Sequence, residues 1–179
     1  MFTSHINLEG KHIGQEWWRC LAFVGCYSLL DYGYFRIPIE TFINVIYYHG
    51  VVTVCADCIN MLFPLEQVLA RQNHLISVKA DLEIVRGCDG AGVVFLIIAA
   101  ILTFPAKMGR KLLGLILGVS LIYGLNLLRI GFLYFTIAYR PDLFSLIHTY
   151  LAPTLMVITG CAYFVWWAFG AVNQIHAQA

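Results

Sequence analysis

From residue 112 to residue 139 the chain carries a single charged side chain, Arg129, in an otherwise apolar run. A helix of that length rises about 40 Å, more than the roughly 30 Å of bilayer hydrocarbon, so it must tilt or protrude at one end. Composition places the whole chain in the same setting. Of its 179 residues, 60% are hydrophobic and 12% charged, whereas soluble domains carry about 25% charged residues. A soluble core of this size has too little interior to hide that much apolar surface. The formal net charge of +1 supplies no basic field, which argues against nucleic acid as a partner. Six cysteines are too few for a disulfide scaffold, and their apolar neighbours mark most of them as small buried hydrophobes.

The expected fold is an all-α integral membrane bundle with four firm spans, forming a single membrane domain over residues 1–179. Residues 17–34 form the first span, flanked by Trp17, Trp18, Tyr32, Tyr34 and Phe35 as interface aromatics and ended by Pro38. Residues 1–16 are mixed and polar and no small-residue cleavage site follows, so this span is expected to stay as an anchor. The second and third spans are 90–104, stopped by Pro105, and 112–139. The fourth, 149–169, is belted by Trp166 and Trp167 and follows the turn signal Arg140-Pro141-Asp142. Residues 41–70 are apolar but interrupted by His49, Gly50, Asp57, Asn60 and Pro64. That segment is either a fifth span or a re-entrant or interfacial helix. The second reading is favoured, because Asp57 and Asn60 would otherwise lie deep in hydrocarbon. Between 71 and 86, Ile76, Val78, Ala80, Leu82 and Ile84 alternate with polar residues, a period of two that predicts a short extramembrane β element. Residues 71–87 are assigned to an extramembrane segment.

Spacing then brings three reactive groups together. Lys107, Arg110 and Lys111 are the densest cations in the chain and mark a cytoplasmic loop; Lys11 and Arg19 argue for an inside N-terminus. Counting from that loop at 1.5 Å per residue, Cys88 is roughly 28 Å before Lys107 and Arg129 roughly 27 Å after Lys111. His148 opens a span that returns to the cytoplasm by Phe169, roughly 31 Å on. All three arrive at the outer face.

Their types suit acyl chemistry. Gly87-Cys88-Asp89-Gly90 is a turn entering a helix, with Asp89 a candidate N-cap, and a thiol there feels the positive end of the helix dipole, which favours the thiolate. Arg129 shares a helix face with Gly118, and Gly114 and Gly118 form a small-xxx-small pair that marks a packed face. Arg129 therefore points into the bundle, where it needs a carboxylate or oxyanion. Asn126 lies three residues before it. His148, placed beside Cys88, is the natural proton acceptor or donor to a leaving amine. Cys88 and His148 alone are too few ligands to specify a metal, and no cofactor is implied.

This set resembles the exosortase/archaeosortase family of membrane transpeptidase-like enzymes. The likeness lies in Cys88-Asp89-Gly90 opening a helix, Ala99-Ala100, Pro105, the basic loop to Lys111, Asn126-Leu127-Leu128-Arg129-Ile130, and His148. It covers roughly residues 70–168. The resemblance implies a bacterial inner-membrane cysteine peptidase or transpeptidase acting at the periplasmic face, and would place residues 71–87 on that side. Its substrates would be membrane-anchored proteins with a C-terminal sorting signal of Pro-Glu-Pro type, often alongside exopolysaccharide-system proteins. Carried across, Cys88 is the nucleophile, His148 the general acid/base, and Arg129 the oxyanion or thiolate partner; Asn126, Asp89 and Gly90 support them. Two departures stand out: the chain is much shorter than the large exosortases, and an aspartate follows the cysteine, where its charge raises the thiol pKa unless Arg129 offsets it. Two rival readings remain. One is a membrane thiol–disulfide oxidoreductase using Cys55 and Cys58 as a C-x-x-C pair. The other is a non-enzymatic accessory subunit of a secretion or exopolysaccharide complex.

Overall fold

The computed structural model describes residues 3–176, with side chains described for 17–171, so the orientation argument from Lys11 falls outside the described side chains. Helix α1 is Thr3–Arg36. Pro38 then caps α2, Ile39–Leu62, which starts as one α turn, passes through a π-helix at Phe42–Val52 and returns to α geometry at Thr53–Leu62. Three short strands follow: β1 Leu69–Arg71, β2 His74–Ile76 and β3 Asp81–Glu83. Helices α3 (Ala91–Thr103) and α4 (Met108–Tyr139) come next. The last helix, α5, covers 141–176 as a 3-10 turn at Pro141–Leu143, one α turn, a π segment at Ile147–Leu151 and a long α-helix, Ala152–His176.

The chain is thus an all-α membrane bundle with a small β element. Among the described residues, α2, α4 and the run Pro141–Ala171 are long and apolar enough to cross a membrane. Of the two readings open for residues 41–70, length and apolarity fit a crossing helix. The two residues that argued against crossing lie near its C-terminal end: Asp57 is exposed, and Asn60 is spent on the chain just beyond the helix. The Asn60 amide donates to the Val68 carbonyl and accepts from the Val68 N–H, both at 2.8 Å. Helix α3 is shorter than its apolar run suggested, with 13 residues and a rise of about 20 Å. Phe104 and Lys107 are extended, so the connection to α4 rises more per residue than a helix would.

Helix α4 is the spine, and it serves two cores. Its first half contributes Ile122 to a cluster with Ile97 and Ile101 of α3 and Met156, Tyr163 and Trp167 of α5. Its second half contributes Ile130, Leu133 and Tyr134 to a cluster with α2 and the strands. Gly114 and Gly118 are buried at the α5 contact, as their spacing predicts. The Tyr163 hydroxyl donates to the Gly114 carbonyl at 2.6 Å, and a Cβ on Gly118 would stand 2.6 Å from Tyr163 Cε1. Glycine here lets an aromatic ring lie against backbone.

The strands form one antiparallel sheet in the order β1-β2-β3, with Leu75 opposite Leu82. The predicted alternation holds inward at Ala80, Leu82 and Ile84, all buried, and fails at Val78, which is fully exposed, and at Ile76, which is half-buried while Leu75 takes the inward place. A turn intervenes there: Ser77 Oγ accepts the backbone N–H groups of Lys79 and Ala80 at 3.0 and 3.2 Å. Glu66 locks this sheet to α4. Its carboxylate accepts from Lys79 Nζ at 2.8 Å, from Tyr134 at 3.1 Å and from the Tyr139 hydroxyl.

Two outcomes are expected. Gly118→Leu forces a side chain into Tyr163 and Ile97, and thermal unfolding in detergent should register a loss of about 1–3 kcal/mol. Separately, Lys79 holds the Glu66 carboxyl below its usual value. The folded-state pKa thus lies under the unfolded value of about 4.3, so this stabilisation is complete above that pH and lost as pH falls through the folded value. Stability should decline on acidification below about pH 4, and Glu66→Gln should flatten that slope.

Candidate active site

The turn that carries Cys88 is shaped by two glycines. Gly87 (φ +92°) and Gly90 (φ +77°) occupy the left-handed region, reversing the chain between β3 and α3. Gly90 is the residue at the N-cap of α3, where sequence suggested Asp89. The aspartate stands one place earlier and supports the turn differently. Its Oδ1 accepts the Ala91 N–H at 3.2 Å, while Oδ2 accepts from the Tyr34 hydroxyl and, at 3.3 Å, from the Tyr47 hydroxyl. Gly90 is also sterically required: a Cβ there would lie 3.2 Å from Met156 Cε and 3.3 Å from Asn126 Cγ.

The structure brings the three spacing-predicted residues together. Cys88 Sγ stands 3.4 Å from His148 Nε2, and Arg129 donates to the Cys88 carbonyl at 3.1 Å. All three side chains are half-buried. His148 sits in the π segment of α5, and Phe144, four residues earlier, stacks against its ring at 5.1 Å with planes 22° apart. Single-turn π geometry inside α-helices recurs at functional sites because it redirects one side chain. With Nε2 facing the thiol, the neutral imidazole takes the Cys88 proton there if its own proton is on Nδ1. Asn126 is buried against Gly90, and its Oδ1 has no hydrogen-bond partner among the described residues, as is true of Arg129 Nε and His148 Nδ1. Three unsatisfied polar atoms around one thiol mark a site arranged for an incoming polar group.

Burial pushes the Cys88 thiol above its usual value; the Arg129 guanidinium opposes this, and Asp89 adds to it. The expectation of a thiol held low by a helix terminus is therefore corrected. Gly90 separates Cys88 from the first turn of α3, and packing removes water that would solvate the thiolate. The 3.4 Å contact lets Cys88 Sγ and His148 Nε2 exchange a proton.

Arg129 also lines an apolar groove of about 250 Å³ between α4 and α5, walled by Leu125, Leu128, Phe132, Leu151 and Met156. Tyr34, Tyr47 and Phe144 were not singled out as site residues in sequence. Phe144 had a signal, its i,i+4 spacing from His148; Tyr34 and Tyr47 reach the site from α1 and α2 through tertiary contact. Cys55, of the C-x-x-C pair, is buried with its thiol 3.8 Å from the Leu127 carbonyl.

A cysteine turn, a helix-borne arginine and a histidine thus converge at one end of a membrane bundle. The family model of the transmembrane exosortases matches residues 12–165, and the chain belongs to that family. Archaeosortase A of Haloferax volcanii is 40% identical to it over 55 residues, which are 31% of this chain and 18% of that protein. The chain therefore spans less than a fifth of this relative's length in the alignment. No solved structure matches it.

Gly90→Ala meets both the left-handed backbone and the contacts of Asn126 and Met156. It should cost about 1–3 kcal/mol in thermal unfolding, and more than Gly87→Ala, where space is open.

Proposed function

We propose that this protein is a membrane cysteine peptidase or transpeptidase that cleaves C-terminal sorting signals, of Pro-Glu-Pro type, from exported proteins. It works at the periplasmic face of the bacterial inner membrane, with residues 71–87 on that side and the Lys107–Lys111 loop in the cytoplasm. The carrying observation is the Cys88 Sγ to His148 Nε2 contact of 3.4 Å, with Arg129 on the Cys88 carbonyl, in a chain of the exosortase family.

In this reading Cys88 attacks the scissile carbonyl as its proton passes to His148 Nε2, so the thiolate forms only as the substrate arrives. Arg129 stabilises the tetrahedral oxyanion, and the buried Asn126 amide helps orient the substrate. Collapse breaks the C–N bond. His148 returns its proton to the leaving amine and a thioester remains on Cys88. Water or an amine then attacks the thioester, giving hydrolysis or transpeptidation, and the thiol is regenerated. The apolar groove beside Arg129 suits a peptide that reaches the site from within the bilayer. Exopolysaccharide-system proteins are further expected partners of this protein.

The test is co-expression with candidate proteins bearing such C-terminal signals. Cys88→Ala should abolish processing, and His148→Ala should slow it by about 10²–10⁴-fold. Arg129→Lys, which keeps the charge and loses the planar fork, should also impair it. Processing that persists in Cys88→Ala ends the peptidase reading.

A further inference from the structure

The proposed chemistry leaves one feature unexplained: a carboxylate is bonded next in sequence to the nucleophile, yet no ion pair joins Asp89 to Arg129 among the described residues. The two charges are kept on different sides of the turn. Arg129 lines the groove between α4 and α5, whereas Asp89 lines an opening bounded by α1, α2 and α3 together with Tyr34 and Phe42. Two phenols hold the carboxylate there. Tyr34 of α1 and Tyr47 of the α2 π segment both donate to Oδ2, leaving Oδ1 for the Ala91 N–H. Tyr47 is 1% exposed, and edge-to-face contacts with Phe42 fix both rings, at centroid distances of 4.9 Å for Tyr34 and 4.8 Å for Tyr47.

We propose that Tyr34 and Tyr47 are positioning residues for the Cys88 thiol: their hydroxyls hold the Asp89 carboxylate off Arg129 and so reserve the guanidinium for Cys88. This rests on the reading of Cys88 as the nucleophile. The charged and titratable groups around that thiol are few. Arg86 and Asp89 lie in its own turn, Arg129 comes from α4, His148 from α5, and the two phenols from α1 and α2; α3 contributes none. Arg86 donates to the Phe35 and Ile37 carbonyls with its guanidinium 4.4 Å over the Phe42 ring and 5.6 Å from the Tyr34 ring, and its Nε has no hydrogen-bond partner among the described residues. Removal of both hydroxyls leaves the carboxylate one backbone donor. Of the two cations beside the turn, Arg129 is the one anchored on the carbonyl of the residue preceding Asp89. Capture of that cation withdraws from Cys88 the influence that favours its thiolate.

The readout is the pH dependence of Cys88 alkylation by iodoacetamide, followed peptide by peptide by mass spectrometry on the full chain in detergent. Tyr34→Phe with Tyr47→Phe should move the midpoint about one pH unit upward, which is about tenfold slower alkylation at any pH below it. In an Asp89→Asn background the same double substitution should produce no shift, because there is no carboxylate to release. Tyr48→Phe, on the same π segment but outside the cluster, controls for disturbance of α2, and thermal unfolding reports whether each variant is folded. An unmoved midpoint in a folded double variant overturns the proposal. So does an equal shift in the Asp89→Asn background, which would assign the tyrosines to packing alone. Loss of this effect leaves the peptidase reading intact if Cys88→Ala still abolishes processing; persistent processing in Cys88→Ala removes that reading whatever the alkylation curve shows.

Discussion

A guanidinium on an apolar helix must be satisfied by protein, and the bond from Arg129 to the Cys88 carbonyl is where this chain meets that requirement. The bond ties the one irregular turn at the head of α3 to the spine helix α4. The remaining local arrangement follows from it. With the turn pinned, Gly90 must lie against Asn126 and Met156, the thiol must face α5, and the aspartate must face α1 and α2. The spine in turn is held by bare backbone at Gly114 and Gly118 against the aromatic face of α5. A polar bond and an apolar seam, about three turns apart on one helix, divide the task between them.

Much of this was legible before any coordinates. Apolar run length and the basic loop sufficed to bring Cys88, Arg129 and His148 to one end, because helix rise is nearly constant and the bilayer limits how far each helix travels. The small-xxx-small spacing of Gly114 and Gly118 named the packed face correctly. The alternation at Ala80, Leu82 and Ile84 named the sheet, yet could not show that Ser77 turns the chain and throws Val78 outward. The fate of Asp57 and Asn60 was harder to read. Their cost in hydrocarbon depends on depth, and depth depends on where the helix ends, which the Asn60–Val68 bonds decide. Tyr34 was read as an interface aromatic because an amphipathic ring has the same composition whether its hydroxyl meets headgroups or a carboxylate.

The thiol illustrates a contest that sequence alone does not resolve. A helix terminus and a cation favour the thiolate, whereas burial and a neighbouring carboxylate oppose it, and only packing sets their ratio. Here burial prevails. A neutral cysteine beside a membrane is less exposed to oxidation and stray electrophiles than a standing thiolate, because the thiolate is the reactive form. The proposed chemistry then depends on a substrate completing the site, which matches the unsatisfied atoms of Asn126, Arg129 and His148.

The π segment at Ile147–Leu151 has a consequence for the last helix as a whole. An α-helix has one angular phase, so every residue's heading is fixed once any is fixed. A wider turn adds a fixed angular offset, so the two ends take relative headings that an uninterrupted α-helix would not give them. Beyond the π segment, Tyr163 and Trp167 sit on the glycine seam; within it, the imidazole faces the sulfur. Regularising that one segment to α geometry would therefore rotate the imidazole relative to the rings seated on the glycines.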